Sequence, residues 1–480
     1  MTTKTLPSNK IQLTEEQQKA INDLLEWVNK PYNKESTIDD LYCTLQGFAG
    51  TGKTTCLNEF LKNLPSHLKY SVVATAPTHK AKKILSKITG LTAYTIQKLL
   101  GLKPNTNIED FDINNVIFDK LSEPTIYNYK VIVIDEFSML NEDLANLLFK
   151  ESEVSKTKIL FIGDPYQIPP VGEKETVVLK KVKNNVYLKT VIRQQNTNPI
   201  SNLLFNLRED ITNYTNTFLN DVKIPITNIN KNTNEGYFIL DKQEFLDKVV
   251  ELFTSDAYKI NKDFVKFIAY RNSCISAWNQ FIRKNFFNIS DEDNINNPII
   301  VGDNLMSYSN ISINVPLYGL KTILTNSDDY VVKSVVNSSI NDILVYETKL
   351  YNIDTDKSCE IYIVNPKDYN NFTVQLTKYL RNAKQFKQWK KFYDFKNKFI
   401  LLHDLSTEGE ILTNDATKLV GKDLDYGYAI TSHKSQGSTY ENAIVNIVDI
   451  NVQSNIYEKL RLINVAISRA KKQTILNLIH

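Results

Sequence analysis

The stretch Gly47-Phe-Ala49-Gly50-Thr51-Gly52-Lys53-Thr54 constrains this chain more than any other feature. It matches G-x-x-x-x-G-K-[ST], in which glycines let the backbone approach an anion and the following helix aims the positive end of its dipole at it. An apolar run, Leu41 to Leu45, precedes the loop, and Leu57, Phe60, Leu61 and Leu64 follow at the spacing of one helical face. Strand, loop and helix in that order predict an α/β fold that binds a nucleoside triphosphate. Lys53 would reach the β- and γ-phosphates, and the Thr54 hydroxyl would ligate Mg²⁺. The plainer reading, a chance glycine-rich turn, does not account for that ordered context.

Further along, Lys130-Val-Ile-Val-Ile-Asp135-Glu136 places four β-branched apolar residues before two carboxylates. Such a run reads as a buried parallel strand delivering acids at its C-terminal edge, where open α/β sheets place their ligands. Asp135 would hold the Mg²⁺, and Glu136 would orient and deprotonate an attacking water. A third apolar run, Lys158 to Ile162, ends in Gly163-Asp-Pro-Tyr-Gln167, with Gln167 placed to sense the γ-phosphate. Standing alone, the acid pair would be a solvated turn and Gln167 a loop residue.

Composition bounds the rest. The 480 residues suffice for two to four domains, and 42% hydrophobic with 23% charged residues is ordinary for a globular chain. No apolar run is long enough to span a bilayer, and the first ten residues lack a secretory core. Four scattered cysteines (Cys43, Cys56, Cys274, Cys359) give neither a disulfide framework nor a zinc pattern. The expectation is a reducing, cytoplasmic setting, that of the host cell if the chain is phage-encoded. Net charge is only +3, so any polyanion-binding surface must be local.

Together these blocks resemble the superfamily 1 helicases, specifically the 5′→3′ branch of RecD-like and Pif1-like enzymes, and within it the small Dda-type helicases of T-even phages. Leu13-Thr-Glu-Glu-Gln17 resembles the family's adenine-reading motif, and Ala76-Pro77-Thr78-His79-Lys80-Ala81 its first DNA-contacting motif. Tyr94-Thr95-Ile96-Gln97 resembles the second, with Gln97 where the family usually has His. Leu188 to Arg193 resembles the segment carrying one arginine finger; Ala429 to Thr439 and Val465 to Ala470 resemble the last two motifs.

The resemblance implies two RecA-like P-loop domains, with ATP hydrolysed in a cleft between them and Arg193 and Arg469 meeting the charge that develops in the transition state. It implies nucleotide contacts from Gln17, Gly47, Ala49, Gly50, Thr51, Gly52, Lys53, Thr54, Thr55, Gln436 and Gly437. Pro77, Thr78, His79, Thr95, Asn272, Thr431, Ser432, His433 and Lys434 would line the nucleic-acid track, without base readout, since a motor must step over any sequence. The implied activity is ATP- and Mg²⁺-dependent 5′→3′ translocation on single-stranded DNA with unwinding of duplex. Implied partners are single-stranded, forked and duplex DNA, with single-strand-binding or replication proteins as further candidates, no membrane, and a monomeric state.

Domain boundaries follow the motifs. Residues 1–192 form the first RecA-like domain, with a pin-type β-hairpin insert at 102–129 in which Phe111, Ile113 or Phe118 could be the wedge. Residues 193–297 and 422–480 form the second domain. Its 264–269 strand leads into Tyr270-Arg271-Asn272 and a helix whose Trp278 reads as core. Between them, 298–421 alternates short β-like runs with Asn/Asp/Ser turns, as in a small barrel; the resemblance implies an SH3-like insert there, carrying an extended arm at about 366–402. Within that arm, Lys378 to Lys398 holds eight basic residues, one acid and six aromatics. The aromatics fit either a single-strand stacking surface or a helical hairpin packed through Phe386, Trp389 and Tyr393.

Two other classes stay in view: a non-motor P-loop NTPase such as a small-substrate kinase, and a helicase-like RNA- or DNA-binding protein without turnover. The Arg193 and Arg469 motifs, with the Thr431–Thr439 block, argue against the first. The intact set Lys53, Asp135, Glu136 and Arg469 argues against the second.

Overall fold

Val131–Asp135, with four β-branched residues fully enclosed, is the central ladder of a six-stranded sheet. The computed structural model describes all residues except 1–12, 34, 49, 77–78, 105–117, 121, 171, 174, 191–197, 316–318, 404–420 and 480. The chain divides into two compact units, Met1–Pro77 with Ala81–Gly101 and Ser122–Thr197, and Thr78–Lys80 with Leu102–Leu121 and Asn198–His480. Among the described residues no helix is long and apolar enough to cross a membrane.

The first unit is built on β1 (Tyr42–Gly47), β2 (Val72–Thr75) and β3 (Ala93–Tyr94), followed after a short antiparallel pair, β4 (Leu102–Pro104) and β5 (Phe118–Lys120), by β6 (Val131–Asp135), β7 (Lys158–Gly163) and β8 (Asn185–Leu188). The sheet order is β3-β2-β6-β7-β1-β8, parallel throughout. Helices Glu15–Asn29 and Lys53–Lys62 bury Ile21, Leu24, Leu57 and Phe60 in the same core as Leu45 and Val133. Lys158, at the start of β7, closes the C-terminal end of the first helix. Its ammonium donates to the carbonyls of Trp27 (2.6 Å), Val28 (3.2 Å) and Lys30 (2.6 Å), satisfying orphan acceptors where a cation also suits the helix dipole. The β4–β5 pair lies where the hairpin insert was expected; Phe111 and Ile113 lie outside the described residues, as does the side chain of Phe118.

The second unit contains a sheet of β9 (Ile226–Asn230), β10 (Glu235–Leu240) and β11 (Val265–Ala269), joined after a β-rich stretch by three late strands. That stretch comprises β12 (Asn304–Ser307), β13 (Ile311–Val315), β14 (Gly319–Leu324), β15 (Asp329–Ile340), β16 (Ile343–Asn352), β17 (Lys357–Val364), β18 (Phe399–Ile400) and β19 (Leu424–Tyr426). The late strands are β20 (Ala429–Thr431), β21 (Tyr440–Val445) and β22 (Ala470–Asn477), giving the order β20-β11-β21-β22-β10-β9 with only β9 antiparallel. The intervening strands form a mainly antiparallel sheet, β18-β17-β16-β15-β12-β19, and a β13–β14 hairpin. Trp278 stacks on Phe267 at 4.2 Å, in the core as expected.

Residues 366–402 form a single turn, two helices (Tyr369–Phe386 and Trp389–Lys398) and β18. Of the three residues expected to pack this hairpin, Trp389 and Tyr393 lie against the core and Phe386 does not. The chain reverses at Lys387, in the left-handed region at φ 56°, so helical periodicity is broken between Phe386 and Trp389. Phe372, Phe392, Phe395 and Phe399 fill the core, and Phe386 is 57% exposed.

A buried ion pair joins helix Asn272–Phe287 to the start of the β-rich stretch. Arg283, fully enclosed, donates from Nε and Nη2 to Asp303 at 2.8 and 3.0 Å, and Tyr428 donates its hydroxyl to the same carboxylate. Removing one partner of such a pair strands a charge. Arg283→Met is expected to cost about 3–5 kcal/mol, seen as an earlier urea transition, with Arg283→Met/Asp303→Leu recovering much of the loss.

Candidate active site and nucleic-acid face

The phosphate loop is shaped by what glycine alone permits. A Cβ on Gly47 would lie 2.6 Å from Thr51 Oγ1 and 2.9 Å from the Leu188 carbonyl. Gly50 (φ 86°) and Gly52 (φ 85°) are left-handed, where side chains are strained. Gly52 caps helix Lys53–Lys62 and has no side chain to satisfy the first-turn N–H groups, which therefore stay available to an anion. The Thr51 hydroxyl donates to the Phe48 carbonyl at 2.9 Å. Lys53 curls over its own loop, donating to the Gly47 and Phe48 carbonyls at 2.6 and 3.0 Å. Phosphate oxygens, as charged acceptors, would outcompete these neutral carbonyls. Thr54 is exposed in the first helical turn and Thr55 half-buried; Ala49 lies outside the described residues.

Gln17 is tied into the same loop. Its Oε1 accepts from the Thr14 N–H (3.1 Å) while the Gln17 N–H donates to Thr14 Oγ1, a reciprocal helix cap. Its Nε2 donates to the Thr51 carbonyl at 3.3 Å, so the expected base-reading amide also anchors the loop.

Register sets the acids beside the loop. Leu45 and Asp135 both pair with Ile162 of the intervening β7, so Asp135 sits about 10 Å, two strand spacings, from β1 and level with its end. Burial and the adjacent Glu136 carboxylate push the Asp135 carboxyl up to about 7, with the Lys53 ammonium pulling the other way. Glu136 adopts a left-handed backbone (φ 54°, ψ 48°), costly for a residue with a side chain, and its buried Oε2 has no hydrogen-bond partner among the described residues. Gln167 is buried, with Ser138 Oγ at 3.5 Å from its Oε1. Two hard oxygen donors, Thr54 and Asp135, suit Mg²⁺, which otherwise keeps waters and substrate phosphates as ligands.

In the second unit, Thr431 Oγ1 accepts from the Lys434 N–H and caps the short helix Ser432–Ser435. Ser432 is fully buried with its hydroxyl on the Ala269 carbonyl, so any contact it makes runs through its backbone. Burial holds the His433 imidazole below its ordinary pKa and pushes the Lys434 ammonium down to about 8. Lys434 Nζ lies 3.8 Å over the Tyr308 ring and donates to Asn326 Oδ1, and Lys422 Nζ lies 4.3 Å over the same ring. Asn272 is exposed at the first turn of its helix, just after a turn that Asp449 holds through the Tyr270 and Arg271 N–H groups and Arg271 Nε (2.6 Å). Tyr308 and Asp449 carry no motif signal, so the sequence offered no route to either.

Arg469 lies two residues beyond helix Ile456–Ile467 rather than on it. It is buried, donating from Nη1 to the Ser438 carbonyl (3.1 Å) and from Nε to the Val465 carbonyl (3.0 Å), which locks the last two motifs together. Gln436 is nearly buried, beside left-handed Gly437 (φ 71°). Thr95 caps helix Ile96–Leu99 by accepting from the Lys98 N–H. Pro77, Thr78 and Arg193 lie outside the described residues, as does the side chain of His79.

Comparison with known proteins adds the family. An AAA domain model matches residues 12–222, and a UvrD-like helicase C-terminal domain model matches 426–476. An uncharacterized protein of Acanthamoeba polyphaga mimivirus is 26% identical over 95% of this chain and 98% of its own length. The ATP-dependent DNA helicase dda of Enterobacteria phage T4 is 28% identical over 60% of each chain. The ATP-dependent RecD2 DNA helicase of Deinococcus radiodurans is 32% identical over 32% of this chain and 20% of its own. The matched segments hold the phosphate loop and acid pair at one end and Arg469 at the other. By these matches the chain is similar to the RecD/Pif1-like branch of the superfamily 1 helicases.

Proposed function

We propose that the protein is an ATP-dependent DNA helicase that translocates 5′→3′ on single-stranded DNA and unwinds duplex. The observation that carries this reading is one chain holding two parallel sheets. One ends in a phosphate loop beside a strained acid pair; the other ends in the Thr431–Thr439 turn locked to Arg469. A kinase for small substrates has no use for the second. The similarity to dda and RecD2, both described as ATP-dependent DNA helicases, supports DNA as the substrate.

In this mechanism the loop N–H groups and Lys53 hold the β- and γ-phosphates, with Gln17, Gln436 and Gly437 around the nucleotide. Thr54 and Asp135 would hold Mg²⁺, which would supply positive charge to the phosphates. Oε2 of Glu136, which has no partner among the described residues, accepts a proton from the attacking water. Arg193 and Arg469 supply positive charge to the transferring phosphoryl group, and Gln167 reports its presence. Thr78, His79, Thr95, Asn272, Thr431, His433 and Lys434 contact the strand through its phosphates.

Lys53→Ala is expected to lower ATP turnover by roughly two to three orders of magnitude, the size of losing one donor to developing charge. Glu136→Gln is expected to lower turnover by roughly 100-fold or more with nucleotide affinity retained, as loss of a general base without loss of a binding contact. Both are read by steady-state hydrolysis alongside equilibrium nucleotide binding. Strand displacement on forked substrates with a single 5′ or a single 3′ tail tests the polarity: the 5′-tailed fork should open, and opening of the 3′-tailed fork alone would reverse the assignment.

A further inference from the structure

Positive charge in this chain is concentrated in one place. Residues 378–398 carry eight basic residues and one acid, leaving 49 basic against 53 acidic residues for everything else. The segment is the helical hairpin packed on β16 and β17 through Phe372, Phe392 and Phe395. Lys378, Arg381, Lys387, Lys390 and Lys391 are all exposed. None of the five has a carboxylate partner among the described residues, although exposed lysines elsewhere, such as Lys259 and Lys472, do. Between the hairpin and the β15–β16 turn lies an open cavity of about 600 Å³. Lys378 and Lys391 line it together with one carboxylate, Asp342, and the side-chain amides of Asn341, Gln375, Asn382 and Gln388. Ammonium and amide donors around a concavity suit phosphate oxygens.

The aromatics decide which polyanion fits. A single-strand surface needs ring faces for bases to stack on. Here Phe392 and Phe395 are buried, Tyr379 stacks on Phe395 at 4.3 Å, and Trp389 and Tyr393 pack against the same core. Only Phe386 among these rings is exposed. The surface offers cations and amides without a stacking platform, which matches a helix whose bases are already stacked inside. We propose that the hairpin Tyr369–Lys398 is a docking surface for the phosphate backbone of duplex DNA, separate from the single-strand track. This rests on the helicase reading and adds a contact to the duplex that such an enzyme meets. Five cations spread over two short helices would engage three to five phosphates, each worth about 0.9 in the slope of log affinity against log salt.

The test uses the full chain with the five residues changed together (Lys378→Gln, Arg381→Gln, Lys387→Gln, Lys390→Gln, Lys391→Gln), beside a variant with Arg at all five. Far-UV circular dichroism and thermal melting check folding. Anisotropy titrations with a blunt 20-bp duplex and a single-stranded 20-mer are run across a salt series. The Gln variant should bind duplex at least tenfold more weakly near 100 mM salt, with the slope reduced by about 3–4. Its single-strand affinity and single-strand-stimulated ATP hydrolysis should stay within twofold of the parent, and the Arg variant should bind duplex as the parent does. Unchanged duplex affinity and slope would overturn the proposal and leave the patch as a solvated face or a seat for an acidic protein. Equal losses on both DNAs would also overturn it. Parent hydrolysis that ignores single-stranded DNA would instead remove the helicase reading itself.

Discussion

The first unit's chemistry rests on parallel strand register. Leu45, Ile162 and Asp135 share one row because β1 and β6 both pair with β7 in that register, and slipping either by one residue would exchange its side chains between the two faces of the sheet. That row fixes the heights at which the phosphate loop, the acid pair and the Gly163–Gln167 turn leave the sheet. Gly163 lets the turn pass close, since a Cβ there would stand 2.8 Å from the Phe137 ring. The strain at Glu136 is held by the same packing: Phe137 is fully enclosed, which leaves the preceding residue little freedom to relax.

Much of this was legible in the chain because the signals are local. Glycines at fixed offsets, four β-branched residues before two acids, and an apolar helix face each report a neighbourhood of a few residues. The β1, β6 and β7 strands, and Trp278 in the core, follow from such patterns. Legibility ends where tertiary partners choose. The helical hairpin was legible, with Trp389 and Tyr393 against the core, but its turn at Lys387 leaves Phe386 exposed and gives the buried positions to Phe392 and Phe395. The motif singled out Arg469 but not its packing: the helix stops at Ile467 and the side chain folds back on the Ser438 carbonyl. Lys158 capping a helix 130 residues earlier, or Tyr308 beneath Lys434, leaves no trace in local spacing.

The second unit shows polar groups used to tie segments distant in sequence. Arg283 with Asp303, Lys266 with Asp329 and the Gly427 carbonyl, and Asp449 with Tyr270 and Arg271 all bridge parts of the fold that periodicity alone would not join. Burying such charges is costly unless every partner is present, so these links favour one arrangement over near alternatives more than they add raw stability. The Lys434 ammonium, partly desolvated over Tyr308, is one such group that also belongs to the motif expected to meet a nucleic-acid strand.

If these elements make a motor, fuel consumption must respond to the strand it walks on. The most direct measurement is the steady-state ATP hydrolysis rate of the full chain with and without a single-stranded oligonucleotide at saturating nucleotide. The account predicts acceleration of about tenfold or more, equivalent to roughly 1.4 kcal/mol or more of barrier. The same rate in the presence and absence of the strand would contradict it.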